Sequence, residues 1–192
     1  MISPSRPDVS FQPHPGNYYR VRKAEFQAAF EEHKGAVYGF AWRMTGSPAV
    51  AEDVLQEVFL VLLDHPDRFD PDRGGLRPFL MGIARNRVLK HWREDHRWVG
   101  LEEEAYRAEP VDPARGELAI IVGEAVQALP PLQREALILA EYEALPLEEI
   151  ARVVGSEVGT VKSRLHRART NLRRALAPLS SANGVRSHGT TG

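Results

Sequence analysis

Residues 145–172, LPLEEIARVVGSEVGTVKSRLHRARTNL, constrain this chain most, because an apolar stripe and a cationic stripe run through them at helical spacing around a glycine. Pro146 sits where a first helical turn tolerates a missing N–H, Glu148 and Glu149 suit the positive end of a helix dipole, and Gly155 supplies the turn between two helices. In the second helix Val158, Val161, Leu165, Ala168 and Leu172 recur at helical steps and turn one face inward, which leaves Lys162, Ser163, His166 and Arg167 on the other. From Ala151 to Arg174 there are seven Lys or Arg and a single acid, Glu157, a local charge of +6 in a chain whose net charge is −1. A solvated basic helix would also carry such charge. The acidic short helix, the Gly turn and the Thr-Val-Lys-Ser-Arg start to the next helix together favour a helix-turn-helix that meets a phosphate backbone.

The rest of the chain reads as helices separated by clear punctuation. Phe26, Phe30, Val37, Phe40, Ala41 and Met44 give Tyr19 to about Thr45 a helical period, and Gly46-Ser47-Pro48 ends it with Ser47 as the next cap. The following helix, Pro48 to about His65, sets Val50, Val54, Leu55, Val58, Phe59 and Leu62 against the acidic face of Glu52, Asp53, Gln56 and Glu57. Residues 66–77, with two prolines and adjacent glycines, read as a loop, and a third helix runs from about Pro78 to Asp95. Further helices are expected at 117–128, 131–143, 147–154 and 158–176. No strand-like alternation appears, so the expected fold is all-α: two small helical domains, at 21–98 and 117–178. Residues 99–116 carry five acids and two prolines and read as a flexible acidic linker. Residues 1–20 read as a disordered arm and 179–192 as a loose tail.

The third helix interleaves basic and aromatic residues. Leu80, Ala84, Val88 and Trp92 can face a core, whereas Asn86, Lys90, Arg93 and Arg97 share another face. Cations attract phosphate, an amide reads a base edge and aromatics stack on unpaired bases, a combination that fits single-stranded nucleic acid. Trp92 by its spacing belongs to the core, and Trp98 falls beyond the helix.

Composition excludes several classes. The absence of cysteine removes disulfides and thiolate sites and is compatible with a cytoplasmic setting. The first twenty residues hold four prolines and no apolar core of a signal peptide, and runs such as Val58 to Leu63 are far short of a membrane span. Asp64, His65, Asp67, Asp70 and Asp72 cluster without the spacing of a calcium loop. There is no Gly-rich phosphate loop, HExxH or GxSxG, so neither a metal, a cofactor nor catalysis is expected.

Three separated segments, AEDVLQEVFL (51–60), FLMGIARNRV (79–88) and LPPLQREALILAEYEALPLEEIARVVGSEVGTVKSRLHRAR (129–169), carry a resemblance to bacterial RNA polymerase sigma factors of the extracytoplasmic-function (ECF) group of the sigma-70 family, covering roughly 21–178. The resemblance implies that the first domain binds the clamp of the largest subunit of core RNA polymerase through Asp53, Gln56 and Glu57, with other core surfaces also engaged. It implies that the same domain opens the minus-ten element, with a specificity loop from about Phe69 to Arg77 that pockets a base of the melted non-template strand. Asn86 matches a base-reading position there, with Lys90, Arg93 and Arg97 along the same stripe. In the second domain Thr160, Lys162, Ser163, Arg164, His166 and Arg167 fall on duplex minus-35 contacts, with Arg164 and Arg169 at the phosphates. An anti-sigma factor is implied as a further partner. Phe79 and Lys90 depart from the family's usual Trp and Asp, and Glu157 from its usual Ser, Thr or Pro. The competing reading is a free-standing helix-turn-helix regulator of duplex operators, which has no use for the acidic helix or the Asn86 stripe.

Overall fold

The structure is a computed structural model, and it describes residues 23–94, 110 and 117–179. The expectations for the N-terminal arm, for Arg97 and Trp98, for nearly all of the linker and for the tail beyond Leu179 lie outside the described residues. Among those described every regular element is helical. The helices are α1 (Lys23–Thr45), α2 (Pro48–Asp64), α3 (Leu76–Glu94), α4 (Leu118–Gln127), α5 (Pro131–Leu137), α6 (Leu147–Val154) and α7 (Val158–Ala175).

Local chemistry sets the breaks. Gly46 ends α1 at φ 72°, a left-handed conformation that costs glycine nothing, and its N–H donates to the Trp42 carbonyl at 2.7 Å. Ser47 then caps α2, its Oγ accepting the Val50 N–H at 3.3 Å, with Pro48 in the first turn. The segment after α2 is more ordered than a plain loop: it winds into 3-10 turns at Pro66–Arg68 and Pro71–Arg73, the second capped by Asp70 Oδ1 on the Asp72 N–H at 3.0 Å. α3 begins at Leu76 rather than near Pro78, because a proline is tolerated in the first turn.

α5 runs on as a π-turn over Ile138–Tyr142, and Ala144 follows at φ 52°. Pro146 sits at the cap position of α6 rather than inside it, and Gly155 closes α6 at φ 63°. α6 and α7 are thus the two arms of the expected helix-turn-helix.

Apolar stripes bury as their spacing predicts. Val37, Phe40 and Met44 of α1 meet Val54, Val58 and Leu62 of α2 and Leu80, Ala84, Val88 and Trp92 of α3, while Phe30 sets its ring edge on Phe59 at 4.8 Å. In the second half Ile150 and Val154 of α6 and Val161, Leu165 and Ala168 of α7 close over Leu137, Ile138 and Leu139. The two halves are not held apart. Their buried residues form one continuous apolar cluster, with α3 lying against α6 and α1 against α4 and α5. Among the described residues no helix is long and apolar enough to cross a membrane.

Candidate nucleic-acid interface

The acidic face of α2 is open. Glu52, Asp53 and Gln56 are exposed, while Glu57 is half-buried and pairs with Arg87 Nη1 of α3 at 3.0 Å. Leu60 and Leu63 extend this strip, 53% and 47% exposed, although sequence reasoning passed them over. Their signal was present: positions 53, 56, 60 and 63 follow helical steps and miss the core stripe of 54, 58 and 62. Two bare leucines beside carboxylates make a surface that can meet a basic, partly apolar partner helix.

A cleft of about 480 Å³ opens between the two 3-10 turns, the start of α3 and α6, with Arg68, Phe69, Phe79 and Asn86 among its lining residues. Phe69 is buried and packs on Phe79, ring centroids 5.4 Å apart, so it builds the wall rather than offering an open stacking face. Next to it a groove of about 370 Å³ is lined by Arg68, Asn86, Arg87, Lys90 and Arg93, joined by Val61 and Ile83. Four cations and one amide on an apolar floor suit a single strand: the cations follow phosphates and the floor takes unstacked bases. Arg68 and Arg87 are additions to the expected set, brought in by the 3-10 turn and by the face of α3 that meets α2. Arg77 is not among these lining residues. Its guanidinium turns to Glu143, Nη2 donating at 2.7 Å and Nε at 3.3 Å.

On α7 the buried stripe leaves Thr160, Lys162, Ser163, His166 and Arg167 exposed along one face. Ser163 Oγ donates to the Gly159 carbonyl at 3.0 Å. Arg164 is half-buried, and its charge acts on Glu135 of α5, a carboxyl that burial pushes above its usual range while Arg85 and then Arg164 pull it back. Arg169 meets Glu141, its Nε donating at 2.9 Å. Glu157 is exposed at the cap position of α7 and makes no side-chain cap. Among the described residues no group of three or more His, Cys, Asp or Glu is placed to hold a metal ion.

These surfaces fall within regions shared with known proteins. The family description "Sigma-70 region 2" matches residues 29–98, and "Sigma-70, region 4" matches 119–172. RNA polymerase sigma factor CarQ of Myxococcus xanthus is 34% identical over 158 residues, covering 80% of this chain and 90% of CarQ. ECF RNA polymerase sigma factor SigE of Mycolicibacterium smegmatis is also 34% identical, over 78% of this chain and 61% of SigE. Among solved structures, sigma factor RpoE in complex with the anti-sigma factor NepR from Bartonella quintana superposes with a TM-score of 0.64 at 26% identity, over 79% of this chain and 96% of RpoE. CnrH in complex with the cytosolic domain of CnrY gives 0.62 at 27% identity, over 84% of this chain and 91% of that one. The chain belongs to the sigma-70 family of RNA polymerase sigma factors, in its ECF group.

Proposed function

We propose that this sigma factor joins core RNA polymerase through the open face of α2, opens and reads the minus-ten element with the α3 cleft and groove, and reads duplex minus-35 DNA with α7. The observation that carries the assignment is the pairing of two different nucleic-acid surfaces on one chain. One is a cationic groove with an apolar floor around Asn86, suited to a melted strand. The other is a solvent-facing helix face of Thr160, Lys162, Ser163, His166 and Arg167, suited to a major groove. A duplex-only regulator needs the second and has no use for the first.

On this reading 21–98 is the polymerase and minus-ten domain, 117–178 the minus-35 domain and 99–116 the linker between them. The chain serves as a specificity subunit and leaves catalysis to the polymerase, so it works in the cytoplasm where the polymerase is. Asp53, Gln56 and Glu57 meet the clamp, and Lys90 and Arg93 guide the melted strand past Asn86. Base flipping costs a few kcal/mol, which contacts in the Phe69–Phe79 cleft must recover. An anti-sigma protein is the expected further partner, as RpoE is found in complex with the anti-sigma factor NepR.

Adding the chain to core polymerase and a promoter library should give discrete run-off transcripts that need both proteins. Binding to duplex operators alone, with no core-dependent transcript, would make it a free-standing regulator instead.

A further inference from the structure

We propose that Arg68 holds the phosphate at the point where the melted strand turns a base out of its path, so that Asn86 reads the base and Arg68 fixes the backbone beside it. The inference rests on the sigma-factor reading of the cleft and the groove, and it gives that reading a residue outside the expected set. The cleft and the groove have separate linings apart from Arg68, Ile83 and Asn86, which belong to both. A strand that follows the groove and places one base in the cleft must cross there.

Chemistry divides the work at this crossing. Ile83 offers an apolar floor, Asn86 an amide for a base edge, and Arg68 a guanidinium whose planar fork matches the oxygens of a phosphate. Turning a base out of the stack bends the backbone that carries it, and a cation at the bend helps to recover the cost of unstacking. Arg87, Lys90 and Arg93 all stand on α3, whereas Arg68 comes from the 3-10 turn that follows α2. The strand therefore meets positive charge from two elements.

Local structure holds Arg68 in this place and leaves its charge available. The flanking residues Pro66 and Phe69 are buried, the Arg68 N–H donates to the His65 carbonyl at 3.1 Å, and the Phe69 N–H donates to the Pro66 carbonyl at 3.2 Å. The backbone is thus anchored while the Arg68 side chain is exposed. Its neighbours in the groove are partly engaged: Arg87 pairs with Glu57 at 3.0 Å, Lys90 lies 3.8 Å from Glu94, and Arg93 Nε donates to the Leu89 carbonyl at 3.2 Å. Among the described residues no carboxylate pairs with Arg68. Asp67 lines neither cavity, and Asp70, which lines the cleft, turns its Oδ1 to the Asp72 N–H.

The test uses the full-length chain bound to core polymerase and a single-stranded oligonucleotide carrying the non-template minus-ten element of a promoter that the pair transcribes. Replacing its phosphates one at a time by neutral methylphosphonates should reveal one position that costs the parent about tenfold in affinity and costs Arg68→Ala nothing. That phosphate should adjoin the base whose identity Asn86→Ala no longer distinguishes. Arg68→Ala should bind the unmodified strand about tenfold more weakly, with a salt dependence shallower by about 0.7 in slope, and Arg68→Lys should recover most of the loss. The contact is overturned if every methylphosphonate costs the parent and Arg68→Ala alike, or if the coupled phosphate lies several nucleotides from the base that Asn86 reads. Run-off transcription separates the two readings: absence of any core-dependent transcript removes the sigma assignment and this contact with it, whereas normal transcription with no phosphate coupled to Arg68 removes the contact alone.

Discussion

Arg77 and Glu143 stand 66 residues apart in the chain and 2.7 Å apart in space, so a guanidinium that the family resemblance assigned to DNA is held by a carboxylate 3% exposed. Removing the arginine would leave a buried acid without its nearest countercharge. An Arg77 variant therefore disturbs the seam between the two halves itself, and the sharper tests lie elsewhere.

The open strip of α2 separates binding from stability. Leu60 and Leu63 contribute little to the core, so Leu60→Ser with Leu63→Ser should change unfolding free energy by no more than about 0.5 kcal/mol. Affinity for core polymerase should fall about tenfold or more. Asp53→Lys with Gln56→Lys should weaken it further by setting like charges against a basic clamp. Glu57 is left alone because it also holds Arg87. Unchanged core affinity in titrations of both doubles, with helix content intact, would move the polymerase contact off this face.

On α7, neighbouring arginines should fail in different ways. Arg167 is exposed, so Arg167→Ala should spare stability, cost about 1–3 kcal/mol of minus-35 affinity and relax preference at one base pair. Arg164 is half-buried with its charge on Glu135, so Arg164→Ala should lower the thermal midpoint as that buried carboxyl loses a countercharge. Matched and single-mismatch duplexes, together with melting curves, tell the two apart. A purely electrostatic loss of DNA affinity in Arg164→Ala, with the midpoint unmoved, would return that residue to the phosphates as the sequence first suggested.

Ser47 offers a test of local structure. Its Oγ satisfies the Val50 N–H at the start of α2, so Ser47→Ala should cost about 1 kcal/mol in urea unfolding, and Ser47→Asp should retain most of it. Equal loss in both variants would mean the hydroxyl acts other than as a cap.

His33 predicts a pH dependence. Burial holds its pKa below the ordinary 6.5, Glu32 opposes this and the Arg77 charge adds to it. Above 6.5 both folded and unfolded chains carry the neutral ring. As pH falls through that value the unfolded chain gains the proton first and stability is lost, until the folded ring also titrates. Glu135 works the other way: its raised folded value means stability is gained as pH falls toward 4.5. The informative quantity is therefore the difference between parent and His33→Gln, which should shrink the loss between pH 7.5 and 5.5. Parallel stability curves for the two proteins would rule out His33 as the source.

Much of this protein was legible in its sequence because short-range periodicity carries its own geometry. The stripe Val161, Leu165 and Ala168 sets the rotation of α7, which leaves Lys162, His166 and Arg167 outside without reference to any other part of the chain. Gly46, Ser47 and Gly155 mark helix ends for equally local reasons. Trp92 followed its four-residue spacing into the core. What the tertiary structure alone decided is where the polar faces point. An arginine on the wet side of a helix is equally compatible with solvent, a phosphate or a carboxylate, and the partners that settle it lie far off: Glu135 is 50 residues from Arg85, and the Arg73 carbonyl 79 from Arg152. Periodicity states that a face is buried and never against what. The seam between the two helical halves, with the buried acids Glu135 and Glu143 within it, therefore arises only when the halves meet.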